Sequence, residues 1–315
     1  MKLSTVVPTQ LVIVMLALGG GKALAQTTLP QAPSVALDRF SPGEAGSQWF
    51  ALDVLELRGR GRWIASVVVD EAYRPLILRS TTGGADQAVV SDQLVTHLQG
   101  AVLLADRLRL AVSLPLVLVE SGQAVVVGGV GYPQPEAGVG DPRLGADVRL
   151  FGNEHGSIVG AAGLQVGVPI HLGDRRYGRE NDLRLDPHFA VAGRLGPSGL
   201  VVYAGRVGLL SHLPRDLSNG IPRGTDLELA AAVGVRLWRD QLVLGPEMYG
   251  GTMLDGNGPF ATGSSPLEVL LGGHYRHPSG FGAGVGVGAG LVQATGTPPL
   301  RILFAVNFMP RTETQ

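Results

Sequence analysis

Arginines and carboxylates recur in this chain at every second position of apolar runs, and that spacing limits the chemistry open to them. Arg143, Asp147 and Arg149 alternate with Leu144, Val148 and Leu150. Asp182, Arg184, Asp186, His188 and Arg194 oppose Leu183, Leu185, Phe189 and Val191, while Asp226, Glu228 and Arg236 oppose Leu227, Leu229, Val233, Val235 and Leu237. Successive side chains of a strand point to opposite faces, so each run has one charged side and one greasy side. Carried along the chain, the pattern puts Arg107, Arg109, Arg143, Arg149, Arg184, Arg194, Arg206, Arg236, Arg276 and Arg301 on one lining with Asp147, Asp186, Glu228, Glu247 and Glu268. Such a lining does electrostatics rather than covalent chemistry. It either pairs into a salt-bridged plug that passes nothing, or it steers solutes through water, in which case the arginine excess favours anions.

Covalent and metal chemistry find little support. Seven histidines are scattered without an H-E-x-x-H or comparable ligand spacing. His188 and His274 fall on the charged faces and His155 in a turn, and they read as hydrogen-bonded lumen or turn residues rather than ligands. His212 lies six residues before Ser218-Asn219-Gly220, across Pro214. A nucleophile pair needs the imidazole within about 3 Å of the hydroxyl, and that separation, running out of a strand into a loop, does not provide it. Asp255-Gly256-Asn257-Gly258 has too few acidic ligands for a calcium loop, and neither a G-x-S-x-G elbow nor a Walker loop occurs. The reading is of a protein that is no enzyme, with no catalytic residue, metal or cofactor.

The elements that position the charged lining are strands. Between Phe281 and Leu291 every second residue is glycine, from Gly282 to Gly290, and the others are apolar. A helix would scatter those glycines around its surface at roughly 1 kcal/mol each, whereas a strand gathers them on one bare face. The run also has the length of a tilted membrane-spanning strand, about 9–11 residues. Eleven similar segments accompany it: Arg62 to Glu71, Gln93 to Leu104, Arg107 to Val119, Arg143 to Phe151, Ser157 to Ile170, Asp182 to Leu195, Gly199 to His212, Asp226 to Trp238, Gln241 to Leu254, Pro266 to His277 and Leu300 to Phe308. Tight turns and longer polar loops alternate between them. That alternation is the mark of an all-β, antiparallel up-and-down transmembrane barrel of about twelve strands, with periplasmic turns and external loops. An even strand number puts both termini on the periplasmic side. The bare glycine face would leave room in the lumen for water or for an inward-folded loop.

Composition agrees. Lys2, the apolar run Leu11 to Leu18 and the A-x-A pattern of Ala23-Leu24-Ala25 read as a signal peptide over residues 1–25. Residues 26–61 read as a periplasmic lead-in, with a first barrel strand as the alternative for Ala36 to Leu57; residues 62–308 form the barrel and 309–315 a tail. The absence of cysteine excludes disulfides. A net charge of −1 offers nucleic acid no basic field. Charged residues make up only 16% of the chain against about 25% in soluble proteins. The expected surroundings are outer-membrane lipid and the barrel-assembly machinery, with the chain a monomer or weak oligomer.

Several motifs resemble the amino-terminal barrel of OmpA-family outer-membrane proteins of the myxobacterial type: Asp38-Arg39-Phe40, Gly46-Ser47-Gln48-Trp49-Phe50, Gly140 to Gly152, Gly245 to Gly250 and Leu271 to Arg276. The alternation Ile302, Phe304, Val306, Phe308 is similar to the closing-strand signal of such barrels. The resemblance implies an outer-membrane barrel usually followed by calcium-binding repeats and a peptidoglycan-binding domain. This chain stops at Gln315 with neither, so the barrel is expected to be the functional unit. A passive porin-like conduit for small solutes or ions is the function expected, with a closed structural envelope barrel as the alternative and a lipid hydrolase as the third candidate.

Overall fold

The structure is a computed structural model that describes residues 30, 37–78, 86–153, 156–170, 177, 182–196, 198–213, 224–255, 259–260, 265–292 and 294–310. The leader, Ser218-Asn219-Gly220, His155 and the tail beyond Pro310 lie outside the described residues.

The strands are β1 (Arg62–Leu78), β2 (Gln87–Leu104), β3 (Leu108–Gly122), β4 (Val125–Val127), β5 (Val130–Tyr132), β6 (Gly138–Val139), β7 (Arg143–Gly152), β8 (Val159–Gly167), β9 (Leu183–Leu195), β10 (Val201–Leu213), β11 (Thr225–Leu237), β12 (Leu242–Met253), β13 (Leu267–Arg276), β14 (Phe281–Val292) and β15 (Leu300–Phe308). Twelve of them close a barrel of neighbouring antiparallel strands. β1 pairs with both β2 and β15, β3 bridges to β7, and β7 to β15 follow in order. The short β4 and β5 form a separate hairpin, and β6 adds two residues to the edge of β3. All twelve expected segments are strands. β1 and β2 run further into the first loop than their alternation suggested, to Leu78 and from Gln87.

Register fixes the faces. On β14, Phe281, Val285, Val287 and Leu291 point outward and Gly282, Gly284 and Gly288 are buried inward. Leu144, Val148, Val233, Leu271 and Phe304 join them on the outer surface, giving the apolar belt that lipid requires. No described helix is long and apolar enough to cross a membrane, which says nothing about crossing by strands.

The lead-in does not lie in the periplasm. Pro30 accepts a hydrogen bond from Gly131 of the β4–β5 hairpin, and Leu37 donates to the Tyr177 carbonyl; both contacts are at the end of the barrel that carries the long connections. From there residues 37–59 run down through the lumen, and Gly59 exchanges hydrogen bonds with Asp106 in the β2–β3 turn at the opposite, short-turn end. Two expectations are therefore corrected. The segment is a lumenal strap, and although β1 begins and β15 ends at the short-turn end, Pro30 sits at the long-loop end. The physical reason is the interior of the barrel. Among the described residues, each of the four buried apolar clusters contains a strap residue: Trp49, Leu52, Leu55 and Leu57 in the largest, Phe40 and Phe50 in the second, Leu37 and Ala45 in the others. A fully buried Leu or Phe side chain gains about 1.5–3 kcal/mol over an exposed one, which a periplasmic position would forgo.

Candidate functional site

The strap has no helix or strand and is held by short-range polar closures. Asp38 Oδ1 accepts from the Phe40 amide at 3.1 Å and Asp53 Oδ1 from the Leu55 amide at 2.8 Å, the turn chemistry to which aspartate is suited. Ser47 Oγ accepts from the Trp49 amide and donates to the Leu52 carbonyl, and Gly43 donates to the Phe50 carbonyl. The resulting knot projects Trp49 and Phe50 in different directions.

Phe50 enters the wall that the glycines leave bare. A Cβ at Gly286 would stand 2.6 Å from Phe50 Cε2 and one at Gly272 2.9 Å from the same ring. The ring also packs on His274 with centroids 4.3 Å apart. The space expected for water or an inward-folded loop thus holds the strap. Glu247 completes this dock: its two carboxylate oxygens accept from the Phe50 amide at 2.7 Å and the Ala51 amide at 2.8 Å.

Across the lumen, Trp49, Leu52, Leu55 and Leu57 lie against Val159, Ala161, Ala190, Ala192, Val202, Ala204, Ala232 and Val243. These wall residues occupy the short-turn halves of β8 to β12. Small alanines make room for the large strap side chains, and a Cβ at Gly234 would come within 2.7 Å of Trp49 Cη2. The packing forms an apolar gasket.

Toward the long-loop end the same wall turns polar, and a cavity of about 270 Å³ opens between it and the strap. Arg109, Arg143, Asp147, Arg184, Asp186, Arg206, Glu228 and Glu268 of the expected lining border it, together with Asp226, His188 and His212. Arg206 pairs with Asp186 and, at 3.1 Å, with Glu228. Arg109 bridges Asp147 at 2.9 Å and the strap's Asp53, and His188 Nε2 lies 2.9 Å from Asp147 Oδ1. Arg143 reaches the Ser41 hydroxyl of the strap.

The other expected residues are placed elsewhere. Arg301 is fully buried among Asp38, Asp70 and Glu268. Arg276 ties Glu56 at 2.8 Å and the Gly46 carbonyl at the short-turn end. Arg149 donates to the Asp106 carbonyl at 2.6 Å, and Arg236 pairs with Asp240 at 3.0 Å; with Arg194 they stand at the short-turn rim. Arg107 is a correction: it is exposed in the β2–β3 turn, because β3 begins one residue later, at Leu108.

The expected arginine excess is not found around the cavity. Among the described residues, five arginines and eight carboxylates line it, the strap alone bringing Asp38, Glu44 and Asp53. Those three are invisible as lining residues when the strap is read as periplasmic; Asp226, already on the charged face of its run, lines the cavity, and the buried Asp70 and Asp141 could have been found from the same alternation. Burial pushes the Glu44 carboxyl up, outweighing the attraction of Arg109. Burial also works against Glu56, but Arg276 and Arg62 more than offset it and hold that carboxyl below its ordinary range.

The chain is similar in structure to an outer-membrane channel from Pseudomonas putida F1, at 16% identity over 81% of this chain and 97% of that one, with a TM-score of 0.53. It is also similar to the NanC porin, at 6% identity over 79% of this chain and all of the other, with a TM-score of 0.51. The barrel has the fold of outer-membrane channels. No known protein family matches the sequence, and no curated protein does.

Proposed function

We propose that the protein is a porin-like conduit of the outer membrane for small solutes or ions, and that its lumenal strap sets whether it conducts. The observation that carries this is the polar cavity beside the strap. Its charged walls and its volume of about 270 Å³ suit a hydrated solute, and the apolar gasket lies between it and the short-turn end. Passage follows when the gasket side of the strap moves. The carboxylates around the cavity then favour cations, the reverse of the preference expected from the wall arginines. In this reading the protein is not an enzyme, works as a monomer or weak oligomer in outer-membrane lipid, and reaches it through the barrel-assembly machinery. Kinship with the OmpA-family barrels belongs to the same proposal and is supported by the motifs quoted above.

The gasket and the ion pairs equally suit a closed structural barrel, so the experiment must separate the two. The purified full chain in planar bilayers is expected to give rare, small conductance steps, and a Leu55→Glu variant frequent and larger ones. Silence from both, with the fold intact, would establish the structural barrel instead. Reversal potentials in a salt gradient read the selectivity, and anion preference would reject the cavity as the path. Fatty-acid release from the bilayer lipid would reopen the hydrolase reading.

A further inference from the structure

We propose that Asp38, Asp70 and His97 form a divalent transition-metal site, best suited to zinc, that staples the lumenal strap to the barrel wall. Asp38 belongs to the strap, Asp70 to β1 and His97 to β2, and one potential ligand atom from each lies within 4.8 Å of the other two. The site was hidden from the sequence because no two of its members share a motif.

Three observations point to a cation there. First, the carboxylate oxygens are divided between two uses. Arg301 takes Asp38 Oδ1 at 3.4 Å and Asp70 Oδ2, which leaves the second oxygen of each. Asp70 is 1% exposed, and its Oδ1 has no hydrogen-bond partner. His97 is equally buried; its Nδ1 has no hydrogen-bond partner, and its Nε2 faces only Asp38 Oδ2. Unpartnered polar atoms at such depth are rare in folded proteins.

Second, among the described residues in direct contact, carboxyl groups outnumber cations. Asp38, Asp70 and Glu268 converge on Arg301, the one guanidinium within ion-pair distance of them among the described residues, and Tyr249 adds only a neutral hydroxyl donated to Glu268. Uncompensated buried charge is costly, and a divalent ion supplies the missing positive charge.

Third, the donor set and spacing fit. One imidazole and two carboxylates make a borderline-soft N/O set that suits zinc, whereas calcium and magnesium call for more oxygen ligands or retained water. His97 Nε2 lies 3.3 Å from Asp38 Oδ2, about the separation of two ligands on a tetrahedral ion with bonds of roughly 2.0–2.1 Å. Asp38 is the most exposed of the three and borders the cavity, so the fourth ligand would be water.

The site stands on geometry independent of conduction; only its consequence, a strap harder to release when metal is bound, rests on the conduit reading. Calorimetric titration of Zn²⁺ into the purified full chain in detergent is expected to show one equivalent bound. His97→Gln and Asp70→Asn should each weaken binding tenfold or more, with heat-modifiable electrophoretic mobility reporting that the barrel is folded. Co²⁺ with the unaltered chain provides a readout that needs no variant: visible absorption of a four-coordinate N/O site that Zn²⁺ abolishes. Absence of both zinc heat and a Co²⁺ band, or binding undiminished by His97→Gln in a folded barrel, would overturn the site. A chain that binds zinc yet never conducts would overturn the conduit alone.

Discussion

Phe50 and the glycine wall provide the sharpest test of how the strap is held. Phe50 is 1% exposed and its ring occupies the space over Gly272 and Gly286. Truncating a buried phenylalanine costs about 3–5 kcal/mol, so Phe50→Ala should shift the ratio of seated to released strap by about two to three and a half orders of magnitude, at roughly 1.4 kcal/mol per factor of ten. Gly286→Val attacks the same contact from the wall, since its Cβ would sit 2.6 Å from the ring, and overpacking of this kind costs about 1–3 kcal/mol. The two effects must not add. With the ring removed, valine enters a void, and its penalty should vanish, a coupling of at least about 1 kcal/mol. The chain has no cysteine, so a single Gln48→Cys reporter reads release through its rate of maleimide labelling. When reseating is fast compared with labelling, that rate follows the released fraction. If Gly286→Val accelerates labelling equally with and without the Phe50 ring, the glycine stripe is not shaped to Phe50 and the dock is misassigned.

Glu247→Gln replaces an acceptor at the dock by an amide donor facing a backbone N–H, leaving a buried donor unsatisfied at about 1–3 kcal/mol; labelling of the same reporter should rise by one to two orders of magnitude, and an unchanged rate would remove Glu247 from the dock. Trp49→Ala opens the gasket without adding charge and should raise conductance less than Leu55→Glu does, which bilayer recordings of the two variants compare directly. The depressed Glu56 carboxyl contributes stability that is present above its unfolded value of 4.5 and lost as pH falls through the folded one. The difference in labelling between the unaltered strap and Glu56→Gln should therefore shrink as the pH falls below about 4.5, and a difference that stays constant to pH 2 would reject the pairing with Arg62 and Arg276.

Alternation alone determined the barrel. A period of two assigns each residue a face, and charge is kept out of lipid, so the arrangement of Leu227, Leu229, Val233 and Val235 opposite Asp226, Glu228 and Arg236 told inside from outside before any coordinates. The inward glycines of β14 were legible for the same reason. The strap was not, because it has no period: its turns are closed by Asp38, Ser47 and Asp53 side chains, and its apolar residues face two walls at once. A stretch such as Trp49-Phe50-Ala51-Leu52 looks the same in sequence whether it lines a periplasmic surface or fills a pore. Only closure of twelve strands created the buried volume that Phe50 and Trp49 occupy, and only the resulting path of the strap brought Asp38 against Asp70 and His97 and placed two further carboxylates, Glu44 and Asp53, beside the wall arginines. Local pattern records which face a residue takes within its own strand; what stands opposite that face is set by contacts hundreds of residues apart, and it decided both the balance of charge in the lumen and what fills it.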